Sequence, residues 1–195
     1  LTHLMFRKSL HNQERALKAE AVIEKSKNAE LRARLNPHFL FNSLNSIAAL
    51  IGEDPNKAED MVVQLSELLR ESLRRDSQEI VALTEELSLV EQYVQIEKTR
   101  FEEKLQFNIE IEPQLTQLSV PRFCLQPLVE NSIKHGMRSS PMPLQVGIKA
   151  RRGENGISIS VWNSGTLNPQ KPSHLSQQDC GQGLRIIQEQ FKLHF

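Results

Sequence analysis

Residues 35–42 read LNPHFLFN and place a proline and a histidine inside a stretch that otherwise predicts one long helix. Between Met5 and Ile51 there is no glycine, Pro37 is the only proline, and residues of high helix propensity dominate the first part. Pro37 has no N–H to donate to the carbonyl of residue 33 and crowds that carbonyl, so it kinks or loosens a helix. The sequence therefore predicts a helix of about 45 residues that is disturbed next to His38.

The first part of this helix carries a partial heptad pattern. Leu10, Leu17 and Leu31 share one heptad position, whereas Glu24 interrupts it. An isolated helix of this length is marginal in water, because helices gain most of their stability from packing. We therefore expect the helix to dimerise as a coiled coil, and a solvated single helix is the alternative.

Two shorter helices are predicted after this one. Residues 52–56 (GEDPN) are typical of a turn, and apolar residues then recur at helical spacing to about Arg75. The turn would fold the first two helices into an antiparallel hairpin, two of which make a four-helix bundle in a dimer. A third helix is expected to begin at Thr84, with Glu85 and Glu86 in its first turn, where the helix dipole favours acidic residues.

The last third of the chain changes from helical to alternating periodicity. Alternation predicts strands over residues 105–111, 144–150 and 157–161, and helical spacing predicts a helix over residues 125–135. Residues 153–156 (GENG) are typical of a tight hairpin turn between the last two strands.

The fold class predicted from these patterns is α+β. Residues 166–180 are rich in Pro, Ser and Gln and predict a mobile loop, after which a last helix opens at Gly183. We expect a long helical hairpin that dimerises over residues 1–102, followed by a small α/β domain over residues 103–195.

Composition and charge exclude several classes of protein. The chain carries 24 basic and 24 acidic side chains, so no net charge attracts nucleic acid or an anionic membrane. Cys124 and Cys180 lie far apart without metal-ligand spacing, which predicts free thiols in a reducing compartment. No apolar run reaches the ~18 residues that a membrane-spanning helix needs. We therefore expect this part of the protein to be soluble, with no nucleic acid partner.

The histidine of the opening motif has the surroundings of a nucleophile. On a helical wheel, His38, Asn42 and Asn45 fall within about 60° of one another. The opposite face carries Leu40, Leu44, Ile47 and Ile51. His38 is therefore predicted to face away from the core, and a buried, hydrogen-bonded histidine is the alternative. A neutral imidazole is a competent nucleophile near pH 7, and Asn42, one turn on, is placed to fix its tautomer.

A second polar group lies in residues 128–136 (LVENSIKHG). The amide oxygen of Asn131 is able to ligate magnesium, and Lys134, one turn later, is able to meet phosphate oxygens. A solvated helix face is the alternative. Downstream, Asn-Ser-Gly at residues 163–165 ends a strand, and Gly-Gln-Gly-Leu at residues 181–184 opens a helix whose free N–H groups suit phosphate. Each of these last two motifs is weak alone.

Taken in order, the segments LNPHFLFNSLNSI, LQPLVENSIKHG, VWNSG and GQGL resemble the sensor histidine kinases of the autolysin-sensor (LytS-like) class. The ATP domain of that class belongs to the superfamily of gyrase, heat-shock chaperone and mismatch-repair ATPases. The resemblance runs from about residue 31 to the end of the chain, so the first 30 residues rest on periodicity alone.

The resemblance implies roles for individual residues, with ATP and Mg²⁺ as cofactors. His38 would be the phosphoacceptor and Asn131 the magnesium ligand, while Lys134 and His135 would contact the triphosphate. Gly165 would shape the adenine pocket beside Asn163.

The resemblance also implies roles in the last part of the chain. Gly181 and Gly183 would let the backbone approach the phosphates, with Leu184 in the helix that they open. Residues 166–180 would form the ATP lid. The family domain closes with a further β-hairpin after the last helix, so we expect the sheet of this chain to lack its final hairpin.

Three positions depart from the family pattern. Asn163 stands where the superfamily commonly has an aspartate that accepts a hydrogen bond from adenine, and its side-chain oxygen is still an acceptor. Phe39 follows His38 where many histidine kinases have an acidic base, so the general base is unassigned. Pro127 stands four residues before Asn131, where ATP hydrolases of the superfamily place a water-activating glutamate. The last departure disfavours hydrolysis and leaves phosphoryl transfer.

The resemblance thus predicts a protein histidine kinase in a two-component system. We expect a homodimer in which ATP phosphorylates His38, which then passes the phosphoryl group to an aspartate on a response regulator receiver domain. The chain would be the cytoplasmic portion of a bacterial inner-membrane sensor, anchored by a segment N-terminal to it. A catalytically inactive dimeric scaffold is the alternative, and a chaperone- or gyrase-like ATP clamp is a third reading that Pro127 disfavours.

Overall fold

The computed structural model describes residues 37–73, 78–154 and 156–165, and their fold is mixed α+β, as predicted. In chain order the main elements are α1 (Pro37–Glu53), α2 (Pro55–Leu73), β1 (Ile80–Ala82), α3 (Leu83–Phe101), β2 (Leu105–Ile111), β3 (Ser119–Pro121), α4 (Gln126–Ser139), β4 (Leu144–Gly153) and β5 (Gly156–Asn163). Contacts divide the chain into two compact units, Leu1–Phe41 and Asn42–Phe195, and the boundary between them falls within α1.

A single residue, Asp54, separates α1 from α2. Its backbone N–H donates to the carbonyl of Leu50 at 2.8 Å, and its side-chain Oδ1 accepts the N–H of Lys57 at 3.2 Å. Asp54 therefore ends one helix and caps the next, with Pro55 at the first helical position, where its missing N–H leaves no helical bond unmade. The turn predicted over residues 52–56 was wrong in extent, because this capping compresses it to one residue. The antiparallel hairpin stays a prediction.

Helix α3 is the central helix of the second unit and packs against α2, α4 and β2. The buried face of α2 consists of Ala58, Met61, Leu65, Leu68 and Ser72. The buried residues of α3 are Leu83, Glu86, Leu87, Leu89, Val90, Tyr93, Val94, Ile96 and Glu97. Each fully buried aliphatic side chain of this kind contributes about 1.5–3 kcal/mol relative to exposure. Packing around α3 therefore joins α2 to the larger β-sheet and to α4.

The larger sheet has the strand order β2–β4–β5, with β2 parallel to β4 and β4 antiparallel to β5. A parallel pair needs a long crossover, and here the crossover contains β3 and α4. The buried face of β4 presents Leu144, Val146, Ile148 and Ala150. Helix α4 covers the sheet with Val129, Ile133 and Gly136. A Cβ on Gly136 would lie 2.5 Å from Leu144 Cδ1, which is too close for a side chain. Gly136 thus allows a close approach between helix and sheet.

Sequence patterns located most elements of this second unit. The strand over residues 105–111 is confirmed, and the helix of residues 125–135 runs to Ser139. Strands β4 and β5 pair as an antiparallel hairpin up to Gly153 and Gly156, and Gly156 has φ 132°. The short antiparallel pair β1–β3 was not predicted.

Other predictions met different outcomes. Helix α3 begins at Leu83 with Ala82 as its N-cap, rather than with Thr84 as predicted. The heptad region of residues 1–36, the loop of residues 166–180 and the last helix lie outside the described residues. The domain boundary between residues 102 and 103, the dimeric bundle and the ATP-binding sandwich stay predictions. Among the described residues, no helix is long and apolar enough to span a membrane.

Candidate functional site

His38 lies in the first turn of α1, directly after Pro37, and its side chain is exposed. Phe39, the next residue, is buried. Asn42, one turn on, is half-buried and lies in the same sector of the helical wheel as His38. The exposure of His38 agrees with the wheel, and the tautomer role of Asn42 stays a prediction.

The buried face of α1 is not the one that the wheel predicted. Phe39, Ser43 and Ile47 are buried at the helical spacing of four residues, whereas Leu44 and Ile51 are 55% and 63% exposed. Of the predicted apolar face, only Ile47 is buried. The prediction was wrong because α1 has two apolar sectors, and the wheel alone does not say which one is covered.

The second apolar sector of α1 is a continuous exposed stripe. Phe41, Leu44, Ala48 and Ile51 follow the i, i+3, i+7, i+10 spacing, and Phe41 is 68% exposed. We call these four residues the α1 stripe. Such a run of exposed apolar side chains marks an interaction surface more often than a solvated one.

Helix α4 carries the second group of predicted site residues. Asn131 is half-buried and Lys134 and His135 are exposed, and all three lie on one polar stripe opposite the residues that face the sheet. Arg138 continues this stripe one turn later. Arg138 was not among the residues predicted from the sequence, although the helical spacing of residues 131, 134 and 138 places it on the same face. We call Asn131, Lys134, His135 and Arg138 the α4 polar stripe.

The end of β5 lies against α4. Asn163 Nδ2 donates to the carbonyl of Ser132 at 3.5 Å, and Asn163 Oδ1 accepts the N–H of Gly165 at 2.8 Å. A Cβ on Gly165 would lie 3.0 Å from the hydroxyl oxygens of both Ser139 and Ser140. The same Cβ would lie 2.8 Å from Asn163 Oδ1, so a larger residue here would require these side chains to move.

The structure therefore brings part of the predicted nucleotide site together. Asn163 and Gly165 contact the helix that carries Asn131, Lys134 and His135. Gly181, Gly183 and Leu184 lie outside the described residues.

Within the described ranges no cluster of three or more His, Cys, Asp or Glu side chains suits a metal ion. The polar, half-buried amide of Asn131 fits a magnesium ion whose other ligands come from phosphate and water.

A buried group of charged residues lies where α3 meets α4. Glu97 is almost fully buried and pairs with Arg100 at 2.6 Å. Burial raises the pKa of Glu97, and Arg100 opposes this rise. Burial also raises the pKa of Glu130 on α4, where Lys134 lowers it and the nearby charge of Glu97 raises it further. The charge of Glu97 thus disfavours the ionisation of Glu130.

Replacing Glu130 by glutamine should change how stability depends on pH. Because the pKa of Glu130 is higher in the folded than in the unfolded chain, stability falls as pH rises from the usual carboxyl range through the raised value. Glutamine cannot ionise, so the melting temperature of Glu130→Gln relative to wild type should rise between pH 5 and pH 8. Thermal unfolding followed by circular dichroism measures this, and parallel curves for the two proteins would contradict it.

Glu86 is a further charged residue whose position the sequence did not reveal. The sequence predicted Glu86 in the first turn of α3 as an acidic residue favoured by the helix dipole. In the structure its side chain is fully buried. Its two carboxylate oxygens accept the backbone N–H groups of Phe123 at 2.6 Å and Leu125 at 3.2 Å. The contact joins residues 37 and 39 positions apart, so no local pattern predicts it.

Sequence comparison shows which known proteins this chain resembles. Residues 26–105 match the histidine kinase family model. The sensor histidine kinase BtsS of Escherichia coli K12 is 38% identical over 177 residues, which cover 90% of this chain and 30% of that protein. The sensor protein LytS of Oceanobacillus iheyensis is 35% identical over 159 residues, 80% of this chain and 27% of the relative. The sensor histidine kinase YesM of Bacillus subtilis is 31% identical over 185 residues, 93% of this chain and 31% of the relative.

Residues 26–105 therefore belong to the histidine kinase family, and most of the chain is similar to sensor histidine kinases. Its relatives named LytS and BtsS place it with the LytS-like sensor histidine kinases, as its motifs predicted. The chain spans about a third of the length of these relatives.

Proposed function

We propose that this chain is the core of a protein histidine kinase that uses ATP and Mg²⁺ to phosphorylate His38. The observation that supports this most directly is the exposed imidazole of His38 beside the buried Phe39. A nucleophile has to be reachable by a phosphoryl donor, whereas a histidine with a purely structural role is usually buried.

The proposed chemistry is a direct transfer. The lone pair of a neutral imidazole nitrogen attacks the γ-phosphorus, a P–N bond forms, and the bond to the β,γ-bridging oxygen breaks, so that ADP leaves with that electron pair. The ring then loses the proton on its other nitrogen to solvent. In the second step, a carboxylate oxygen of a response regulator aspartate attacks the same phosphorus and the P–N bond breaks. The ring nitrogen takes that electron pair, and the ring regains one proton from solvent. Both steps depend mainly on positioning and charge neutralisation.

The nucleotide would lie between α4 and the end of β5. In this proposal Asn131 ligates Mg²⁺, Lys134 and His135 contact the triphosphate, and Asn163 accepts a hydrogen bond from the adenine amino group. Asn163 Oδ1 already accepts the N–H of Gly165, but a carbonyl oxygen has two lone pairs and retains one acceptor site. Gly181, Gly183 and Leu184 would complete the site beneath a lid of residues 166–180.

Hydrolysis of ATP by an activated water is disfavoured. Pro127 lies in the first turn of α4, four residues before Asn131, and it has no group that accepts a proton. This distinguishes the proposed kinase from an ATP clamp of the gyrase or chaperone type.

We propose that the functional unit is a homodimer built through the helices. The α1 stripe supplies an apolar surface with heptad-like spacing, and α2 adds exposed Val62, Val63 and Leu73. The whole protein would be a bacterial inner-membrane sensor with this chain on the cytoplasmic side and a response regulator receiver domain as its partner.

Replacing Leu44 and Ile51 together by glutamate should weaken the dimer. Burial of each aliphatic side chain contributes about 1.5–3 kcal/mol, so losing two should raise the dimer dissociation constant by more than about tenfold. Analytical ultracentrifugation measures this. Asn45→Glu, an exposed position on the same helix outside the α1 stripe, is the control and should dimerise like wild type. Equal dissociation constants for all three proteins would contradict a role for the α1 stripe.

Incubation of the full-length protein with γ-labelled ATP and Mg²⁺ distinguishes a kinase from an ATP clamp and from an inactive scaffold. The kinase predicts label on the protein that is labile in acid and stable in base. Release of free phosphate without labelled protein would favour the ATP clamp. A folded dimer that gives neither signal would favour the inactive scaffold.

A further inference from the structure

The N-terminal end of α4 receives its support from outside the helix. Leu125 is the N-cap residue, and no side chain of its own turn caps the helix. Phe123, two residues earlier, has φ 61°, a left-handed conformation that is unfavourable for an aromatic residue. The turn of residues 122–125 therefore persists only because its surroundings hold it.

Glu86 of α3 supplies part of that support. Its buried carboxylate accepts the N–H groups of Phe123 and Leu125, at 2.6 Å and 3.2 Å. Burial raises the pKa of Glu86, while the backbone N–H groups of residues 123–125 and the charge of Arg122 lower it. A carboxylate that accepts N–H groups beside a helix N-terminus is stabilised by the helix dipole as well.

Arg122 connects the same turn to α2. Its guanidinium donates to Glu71 Oε1 at 3.0 Å, and only 12% of its side chain is exposed. Its backbone N–H donates to the carbonyl of Glu79 at 2.9 Å. The positive charge of Arg122 thus acts on two carboxyl groups, through an ion pair with Glu71 on α2 and through its electrostatic effect on Glu86 of α3.

We propose that Glu71, Arg122 and Glu86 are positioning residues that make the placement of Asn131 depend on α2. The ion pair to Glu71 fixes Arg122, the turn of residues 122–125 follows Arg122, and α4 begins at the end of that turn. Asn131 lies in the second turn of α4, so a shift of α2 would change the geometry of the nucleotide site. This inference rests on the proposed function, and it extends it by naming the residues that link the helical region to nucleotide binding.

Glu71→Gln tests this link with little risk to the fold. The substitution keeps the shape of the side chain and leaves Arg122 beside Glu86. We expect the Kd for a fluorescent ATP analogue with Mg²⁺ to rise by about threefold to tenfold, the effect expected of a partly buried ion pair. The KM for ATP should rise by the same factor with kcat unchanged, and the melting temperature should stay within a few degrees of wild type.

The matched control is Glu67→Gln, an exposed glutamate one turn earlier on α2. It should bind the analogue as wild type does. A purely structural role of the ion pair would lower the melting temperature of Glu71→Gln without changing its KM for ATP, and that result would overturn the proposal.

Amide hydrogen exchange tests the link independently of nucleotide. In Glu71→Gln the N–H groups of Phe123 and Leu125 should exchange faster than in wild type, while those of β4 should not change. Unchanged exchange at both positions would overturn the proposal even if the protein is a kinase. If wild type fails to bind any nucleotide, the proposed function fails, and faster exchange would still support the link between α2 and α4.

Discussion

His38→Gln should lose ATP-dependent phosphorylation of the full-length protein, by more than about a hundredfold relative to wild type. Glutamine is similar in size to histidine and remains compatible with a helix, but its amide nitrogen is not a nucleophile. Since His38 is exposed, the substitution should leave the melting temperature within a few degrees of wild type. Binding of nucleotide should also persist, because His38 is not among the residues proposed to hold ATP.

The control for this experiment is His11→Gln, which changes another histidine of the same chain. It should be phosphorylated at the wild-type rate. If His38→Gln kept its label while another histidine variant lost it, the phosphoacceptor would be assigned wrongly. If neither variant lost its label, the phosphorylated group would not be one of these two histidines.

Asn131→Ala is expected to have the second largest effect. Removal of the amide oxygen takes away the only magnesium ligand proposed from the protein, so phosphorylation should fall by more than about tenfold at saturating ATP. Alanine favours helix and Asn131 is only half-buried, so α4 should remain folded. Titration with Mg²⁺ should show that the stimulation of nucleotide binding by the metal is lost or greatly reduced.

Gln126→Ala is the matched control for Asn131→Ala. It changes a residue of the same helix that lies outside the α4 polar stripe. Phosphorylation and Mg²⁺ dependence should both match wild type. Equal losses in the two variants would indicate damage to α4 rather than loss of a ligand, and unchanged Mg²⁺ dependence in Asn131→Ala would contradict the magnesium site.

Sequence patterns predicted the sheet region well because its signals are local. Strand β2 alternates along its whole length, and the sequence Gly-Glu-Asn-Gly, typical of a hairpin turn, lies where β4 ends and β5 begins. The three-residue strands β1 and β3 are too short for any period to be read. The exposure of His38 was also predicted, since two other polar residues, Asn42 and Asn45, share its sector of α1.

The predictions that failed depend on contacts between distant parts of the chain. The wheel of α1 shows two apolar sectors, and Leu44 was assigned to the buried one although Phe39 and Ser43 occupy it. Glu86 looks like an ordinary first-turn acid until the turn at Phe123, 37 residues later, is folded around it. Glu97 influences the ionisation of Glu130 only when α3 and α4 pack together, so this interaction has no sequence signature.

The most direct test of the kinase is to locate the phosphoryl group itself. The full-length protein is incubated with ATP and Mg²⁺, digested at alkaline pH to preserve P–N bonds, and analysed by tandem mass spectrometry. We predict phosphohistidine at residue 38, in the peptide that contains the NPHFLFN motif. Phosphate on a serine, threonine or different histidine, with residue 38 unmodified in a protein that consumes ATP, would contradict it.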